Sequence, residues 1–130
     1  MFFSRQSRRN KMAKIVVVDD EPDLLYFVEG YLKTQGHEVL TTLYGREAIR
    51  LILDLKPDVA LIDIRLKDDV DGLQVIRAVR EKNPHQKIIL VTAYNDKDGE
   101  ALRDGVLCCL RKPCGIKEID DAISAALDQK

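Results

Sequence analysis

The stretch "KIVVVDDEPD" (residues 14–23) runs four β-branched apolar residues straight into Asp19, Asp20 and Glu21. Ile15 to Val18 have the composition of a strand buried on both faces. Carboxylates at its end repel one another and cost free energy when they lose water. Such a cluster is either a solvated loop or a site whose ligand offsets the repulsion.

Outward from this stretch the chain alternates. After Pro22, apolar residues at Leu24, Leu25, Val28, Tyr31 and Leu32 have helical spacing, and Gly36 offers a stop. "EVLTT" (38–42) reads as a strand, and residues 46–55 as a helix closed by Pro57. "VALI" (59–62) is a third strand; Leu73, Ile76 and Val79 mark a helix ending before Pro84. "IILV" (88–91) is a fourth strand, and residues 96–103 hold only a short helix, interrupted by Gly99. "VLCCL" (106–110) is a fifth strand, before a last helix carrying Ile116, Ile119, Ile123, Ala126 and Leu127 on one face. Five strand–helix units in strict alternation predict an α/β fold: a parallel sheet with helices on both faces.

The totals agree with one domain. The chain has 130 residues, 45% apolar and 33% charged, with a net charge of -1. The charge is uneven, since Arg5, Arg8, Arg9 and Lys11 stand at the start without an acid among them. Such an arm can touch nucleic acid or an acidic membrane, but short basic termini are common on chains that bind neither. Residues 1–12 are read as a disordered extension and 13–130 as the domain. Nucleic-acid binding is not expected of this segment. No apolar run approaches the ~18 residues that span a bilayer, and no signal-peptide pattern is present, so the expected location is the cytoplasm without membrane attachment. Three cysteines clustered at 108, 109 and 114 do not form a disulfide framework. Cys108 and Cys109 should point to opposite faces of the sheet as small apolar fillers.

In an open α/β sheet, ligands bind beyond the carboxyl ends of the strands. There the sequence places Asp19, Asp20 and Glu21 after the first strand, Asp63 after the third, Thr92 after the fourth and Lys112 after the fifth. Carboxylates suit a hard divalent cation such as Mg²⁺, which keeps positions open for other oxygens. Lysine and threonine suit phosphate oxygens. A carboxylate can also be the nucleophile that forms an aspartyl phosphate.

The elements "VVVDDEPD", "LIDIRL…DG", "VTAY" and "RKP", in this order and at these strand ends, resemble the receiver domain of two-component response regulators, of the chemotaxis-regulator type. The resemblance covers residues 14–128. It implies a flavodoxin-like sheet in the order 2-1-3-4-5. It also implies Asp63 as phosphoacceptor, with Thr92 and Lys112 binding the phosphoryl group. Asp20 would hold Mg²⁺ directly, Asp19 mostly through water, and Asp63 and the backbone carbonyl of Arg65 would complete the metal ligands. Pro113 would follow Lys112 through a cis peptide bond. The donor would be a phosphohistidine on a histidine kinase or histidine phosphotransfer protein. Such a chain is a signalling module that catalyses its own phosphorylation and dephosphorylation, not an enzyme acting on a separate substrate. The downstream effector or output domain, and a homodimer, are left open.

Three features depart from that pattern. Cys109 stands where the family usually has an aromatic. The interval from Thr92 to Lys112 is short, which predicts a short or irregular fourth helix. The loop after Asp63, "IRLKDDVDG", is longer than usual; its Asp68, Asp69 and Asp71 are read as a solvated loop without EF-hand spacing. His37 and His85 fall in predicted loops and are read as exposed. Arg65 and Tyr94 lie two positions after Asp63 and Thr92, where they could obstruct a water attacking phosphorus.

Competing functions are weaker. An aspartyl-nucleophile phosphatase commonly has a second acid two residues after the nucleophile, where this chain has Arg65. A nucleotide-binding module would need a glycine-rich loop after the first strand. A degenerate receiver acting only as a binding surface does not need the full acid–Thr–Lys set.

Overall fold

The computed structural model describes residues 12–94 and 97–129. The first eleven residues, which hold the basic groups of the arm, lie outside the described residues. Five strands alternate with five helices: β1 (Lys14–Val18), α1 (Pro22–Thr34), β2 (Glu38–Thr42), α2 (Gly45–Leu55), β3 (Val59–Ile62), α3 (Gly72–Lys82), β4 (Ile88–Thr92), α4 (Asp98–Arg103), β5 (Cys108–Arg111) and α5 (Ile116–Asp128). All strand pairs are parallel, in the order β2-β1-β3-β4-β5. Both expectations from the sequence hold.

Side-chain alternation along the strands divides the core. Val16, Val18, Ala60, Ile62, Ile88 and Leu90 pack under α2, α3 and α4, through Ile52, Ile76, Val79 and Ala101. Ile15, Val17, Val59, Leu61, Ile89 and Val91 pack under α1 and α5, through Leu25, Leu32, Ile119 and Ile123. Burial on both faces explains why the strands are apolar at nearly every position. Cys109 belongs to the first layer and Cys108 to the second, so they do face opposite ways.

Four readings from the sequence need correction. β5 begins at Cys108 rather than Val106, because the chain is still leaving the left-handed turn at Gly105 (φ 85°). His37 is buried, not exposed: its Nδ1 accepts the Ala13 N–H at 3.2 Å, closing the loop over the start of β1. The acids of the "KDDVDG" loop are not merely solvated. Asp68 accepts the Gly45 and Arg46 N–H groups at the start of α2, Asp69 pairs with Arg46, and Asp71 caps α3 in a reciprocal box with Gln74. These bonds tie the long β3–α3 loop to two helix starts.

α4 has six residues, the short helix that the compressed interval predicted. Gly99 lies in its first turn and does not interrupt it.

Candidate functional site

β1, β3 and β5 each deliver one charged side chain to the same point. The Asp63 N–H donates to the Val18 carbonyl at 2.9 Å, and the Asp19 N–H to the Thr42 carbonyl at 3.2 Å. Both residues therefore continue the ladder just beyond their strands, and both are buried (3% and 4% exposed for Asp19 and Asp63). Each also fixes its own side chain locally: Asp19 Oδ1 accepts the Glu21 N–H at 3.0 Å, and Asp63 Oδ1 the Ile64 N–H at 2.7 Å. On the far side, the Lys112 N–H donates to the Thr92 carbonyl at 3.0 Å, and the Lys112–Pro113 bond is cis.

Lys112 closes the cluster. Its Nζ donates to Asp19 Oδ2 at 2.6 Å, to Asp63 Oδ2 at 2.9 Å and to Glu21 Oε2 at 3.0 Å. Glu21 is the partner that sequence reasoning missed. It was visible among the strand-end acids, but nothing in the pattern aimed it at the lysine. Asp19, Asp20, Glu21 and Asp63 each bring a carboxylate oxygen within 4.8 Å of the others. A single ammonium cannot neutralise four carboxylates. Burial raises Asp19 from 3.8 to about 6, despite its hydrogen bond to Lys112. Burial would lower Lys112, but its bonds to Asp19, Asp63 and Glu21 outweigh it and hold the ammonium firmly protonated. The clustered hard oxygen donors and the excess negative charge fit a divalent cation such as Mg²⁺.

Asp20, Glu21, Asp63, Arg65, Ala93, Tyr94 and Lys112 line an open cleft of about 280 Å³. The Arg65 guanidinium lies over the Tyr94 ring, 4.8 Å from its centre, and together they form one wall. Thr92 sits behind this lining and is fully buried. Its hydroxyl accepts the Tyr94 N–H at 3.3 Å rather than meeting Asp63 or Lys112. The structure thus joins Asp19, Asp63 and Lys112 directly, sets Asp20 and Arg65 at the rim, and holds the Thr92 side chain one step away. Gly72 packs against the same point: its N–H donates to the Ile64 carbonyl at 2.7 Å, and a Cβ there would fall 2.1 Å from the Asp63 carbonyl oxygen.

Comparison with known proteins identifies the family. The chain is 33% identical over 116 residues to the regulatory protein AtoC of Escherichia coli, covering 88% of this chain and 25% of that protein. It is 31% identical over 122 residues to the transcriptional regulatory protein GlrR of Escherichia coli, covering 92% of this chain and 27% of that one. The chain therefore spans about a quarter of the length of these relatives. A crystal structure of a response regulator receiver domain protein from Clostridium thermocellum superimposes with a TM-score of 0.83 at 29% identity, over 89% of this chain and 94% of that one. The response regulator receiver domain family matches residues 15–124, and the chain belongs to that family.

Proposed function

We propose that this receiver domain accepts a phosphoryl group on Asp63. The observation that carries the reading is the buried bridge from Lys112 Nζ to Asp63 Oδ2 and Asp19 Oδ2, which sets one cation beside the carboxylate that would carry the phosphoryl group. Asp63 attacks phosphorus as the bond from phosphorus to the donor's imidazole nitrogen breaks, and the bonding pair returns to the imidazole. Lys112 stays protonated and stabilises charge on the phosphoryl oxygens. Thr92 gives its hydroxyl to another phosphoryl oxygen after releasing the Tyr94 N–H. Asp19, Asp20 and Asp63, with the Arg65 carbonyl, would hold Mg²⁺, which when bound supplies charge neutralisation between carboxylate and phosphoryl oxygens.

The donor on this reading is a phosphohistidine on a histidine kinase or phosphotransfer protein, and the cytoplasm is the proposed location. Among the described residues no helix is long and apolar enough to cross a membrane. The division into an arm (1–12) and a receiver domain (13–130) belongs to the same proposal. The test is labelling by a small acyl phosphate, with and without Mg²⁺, in wild type and Asp63→Asn. Labelling that needs Mg²⁺ and vanishes with the substitution is expected. Labelling without Mg²⁺, or surviving Asp63→Asn, overturns the proposal.

A further inference from the structure

Arg111 reaches from the end of β5 to the first turn of α4 and touches both sides of the intervening segment. Its Nη1 donates to the Tyr94 carbonyl at 2.8 Å and to the Thr92 carbonyl at 3.2 Å. Its Nη2 donates to Asp98 Oδ2. Register pairs Thr92 with Arg111 across β4 and β5, so the guanidinium stem starts directly beside the threonine that the proposed function assigns to a phosphoryl oxygen. Cys109, on the same side of β5, is short; it packs into the layer under α4 and makes no hydrogen bond to either segment among the described residues.

Arg111 bonds both segments at once, through different nitrogens. Asp98 Oδ1 is buried and has no hydrogen-bond partner among the described residues. A buried carboxylate oxygen left this way is costly. Guanidinium carries a planar fork that matches both oxygens of a carboxylate. Freed from the Thr92 and Tyr94 carbonyls, it can turn end-on to Asp98 and satisfy Oδ1 as well. One guanidinium thus carries two sets of bonds at once, one to the β4 end and one to α4. A displacement of the β4 end is therefore felt at α4 through this one side chain.

We propose that Arg111 couples the Asp63 site to α4, in place of the aromatic that Cys109 replaces. When Thr92 moves its hydroxyl to a phosphoryl oxygen, the Thr92–Tyr94 segment shifts, its carbonyls leave Arg111, and the guanidinium turns onto both oxygens of Asp98. The state of Asp63 is thereby read out as a change in how α4 is held. This rests on phosphorylation of Asp63, and it assigns Arg111 a positioning role, without contact to the transferred group.

The experiment follows amide hydrogen exchange across residues 98–103 before and after treatment with acetyl phosphate and Mg²⁺, with the Asp63 label measured by intact mass in the same samples. In wild type, exchange in α4 should change by about fivefold or more on labelling. Arg111→Met should still take the label, while its α4 exchange stays within about twofold between the two states. Arg111→Lys, which keeps the charge but loses the fork, should fall between them. If Arg111→Met fails to fold, Arg111→Lys and Asp98→Asn supply the same reading. A labelled Arg111 variant with the full wild-type response overturns the coupling alone, as does a labelled wild type whose α4 does not respond. A wild type that takes no label overturns the phosphorylation reading and the coupling with it, and the mass measurement separates that case from the others.

Discussion

Lys112 Nζ lies 2.9 Å from Asp63 Oδ2 in a buried setting, and the same nitrogen bonds Asp19 Oδ2 at 2.6 Å. The bridge therefore locks the ends of β1, β3 and β5 together before any ligand arrives. Removing one partner of a buried ionic group leaves the others uncompensated, at a cost of about 3–5 kcal/mol. Lys112→Met should accordingly lose on the order of 3 kcal/mol in urea unfolding with chelator present. Millimolar Mg²⁺ should return part of that loss, because a cation can take over neutralising Asp19 and Asp63. Equal stability of variant and wild type in chelator would show that the bridge contributes nothing.

Asp19 sets a pH dependence of definite sign. Burial lifts its pKa from 3.8 to about 6, so the folded state holds this proton more tightly than the unfolded chain does. Stability from this group is fully present below pH ~4 and is lost as pH rises through about 6. His37 works oppositely: burial lowers its pKa, so its contribution is present above 6.5 and is lost as pH falls. The whole-protein profile mixes both, and the difference between wild type and Asp19→Asn isolates one. In chelator, wild type should lose on the order of 2 kcal/mol relative to Asp19→Asn between pH 4 and pH 8. Parallel stability profiles for the two proteins would remove burial of the ionised Asp19 as the cause.

The same substitution should act with opposite sign at two glycines. Gly30 is exposed in the middle of α1, and a Cβ there meets nothing within 4 Å. Gly30→Ala should stabilise by about 0.5–1 kcal/mol through helix propensity. Gly72 begins α3 with its Cα against the Asp63 backbone, where a Cβ would meet three backbone atoms within 2.8 Å. Backbone cannot yield as a side chain can, so Gly72→Ala should destabilise by about 1–3 kcal/mol and slow labelling of Asp63. Thermal melts of both variants, with labelling rates for Gly72→Ala, check the pair.

Much of this site was legible because it is built from periodic signals. Strands buried on both faces leave short apolar runs, and four of the five are followed within two residues by a candidate site residue: Asp19, Asp63, Thr92, Lys112. Chain order put these groups at strand ends, and the sheet order implied by the family resemblance made those ends neighbours. Side-chain partnership was not legible, since it depends on contacts between distant segments. Glu21 meets Lys112 and Asp68 caps α2 from far along the chain, and neither pairing leaves a local pattern. His37 was misread because loop residues are usually exposed, whereas this one accepts a backbone N–H beside β1. The length of α4 was readable from spacing, but the guanidinium of Arg111 spanning to it was not.

Arg65 and Tyr94 form one wall of the cleft that holds Asp63, and on the proposed function they obstruct the water that would attack a phosphoryl group there. The guanidinium over the ring couples the two side chains, so each restrains the other and neither swings clear freely. Hydrolysis of an aspartyl phosphate needs water in line with the breaking bond, and a stacked pair at that position excludes it. The phosphorylated protein should therefore decay slowly. Tyr94→Ala should shorten its half-life by about tenfold, equivalent to lowering the barrier by about 1.4 kcal/mol. Arg65→Ala frees the ring as well as opening the wall, and should accelerate decay in the same direction. Neither substitution removes a group that bonds Lys112, so both variants should still take the label in the presence of Mg²⁺. Loss of label followed after removal of the acyl phosphate donor gives the rates. A wild-type half-life of seconds that Tyr94→Ala leaves unchanged would mean that water reaches phosphorus by another path.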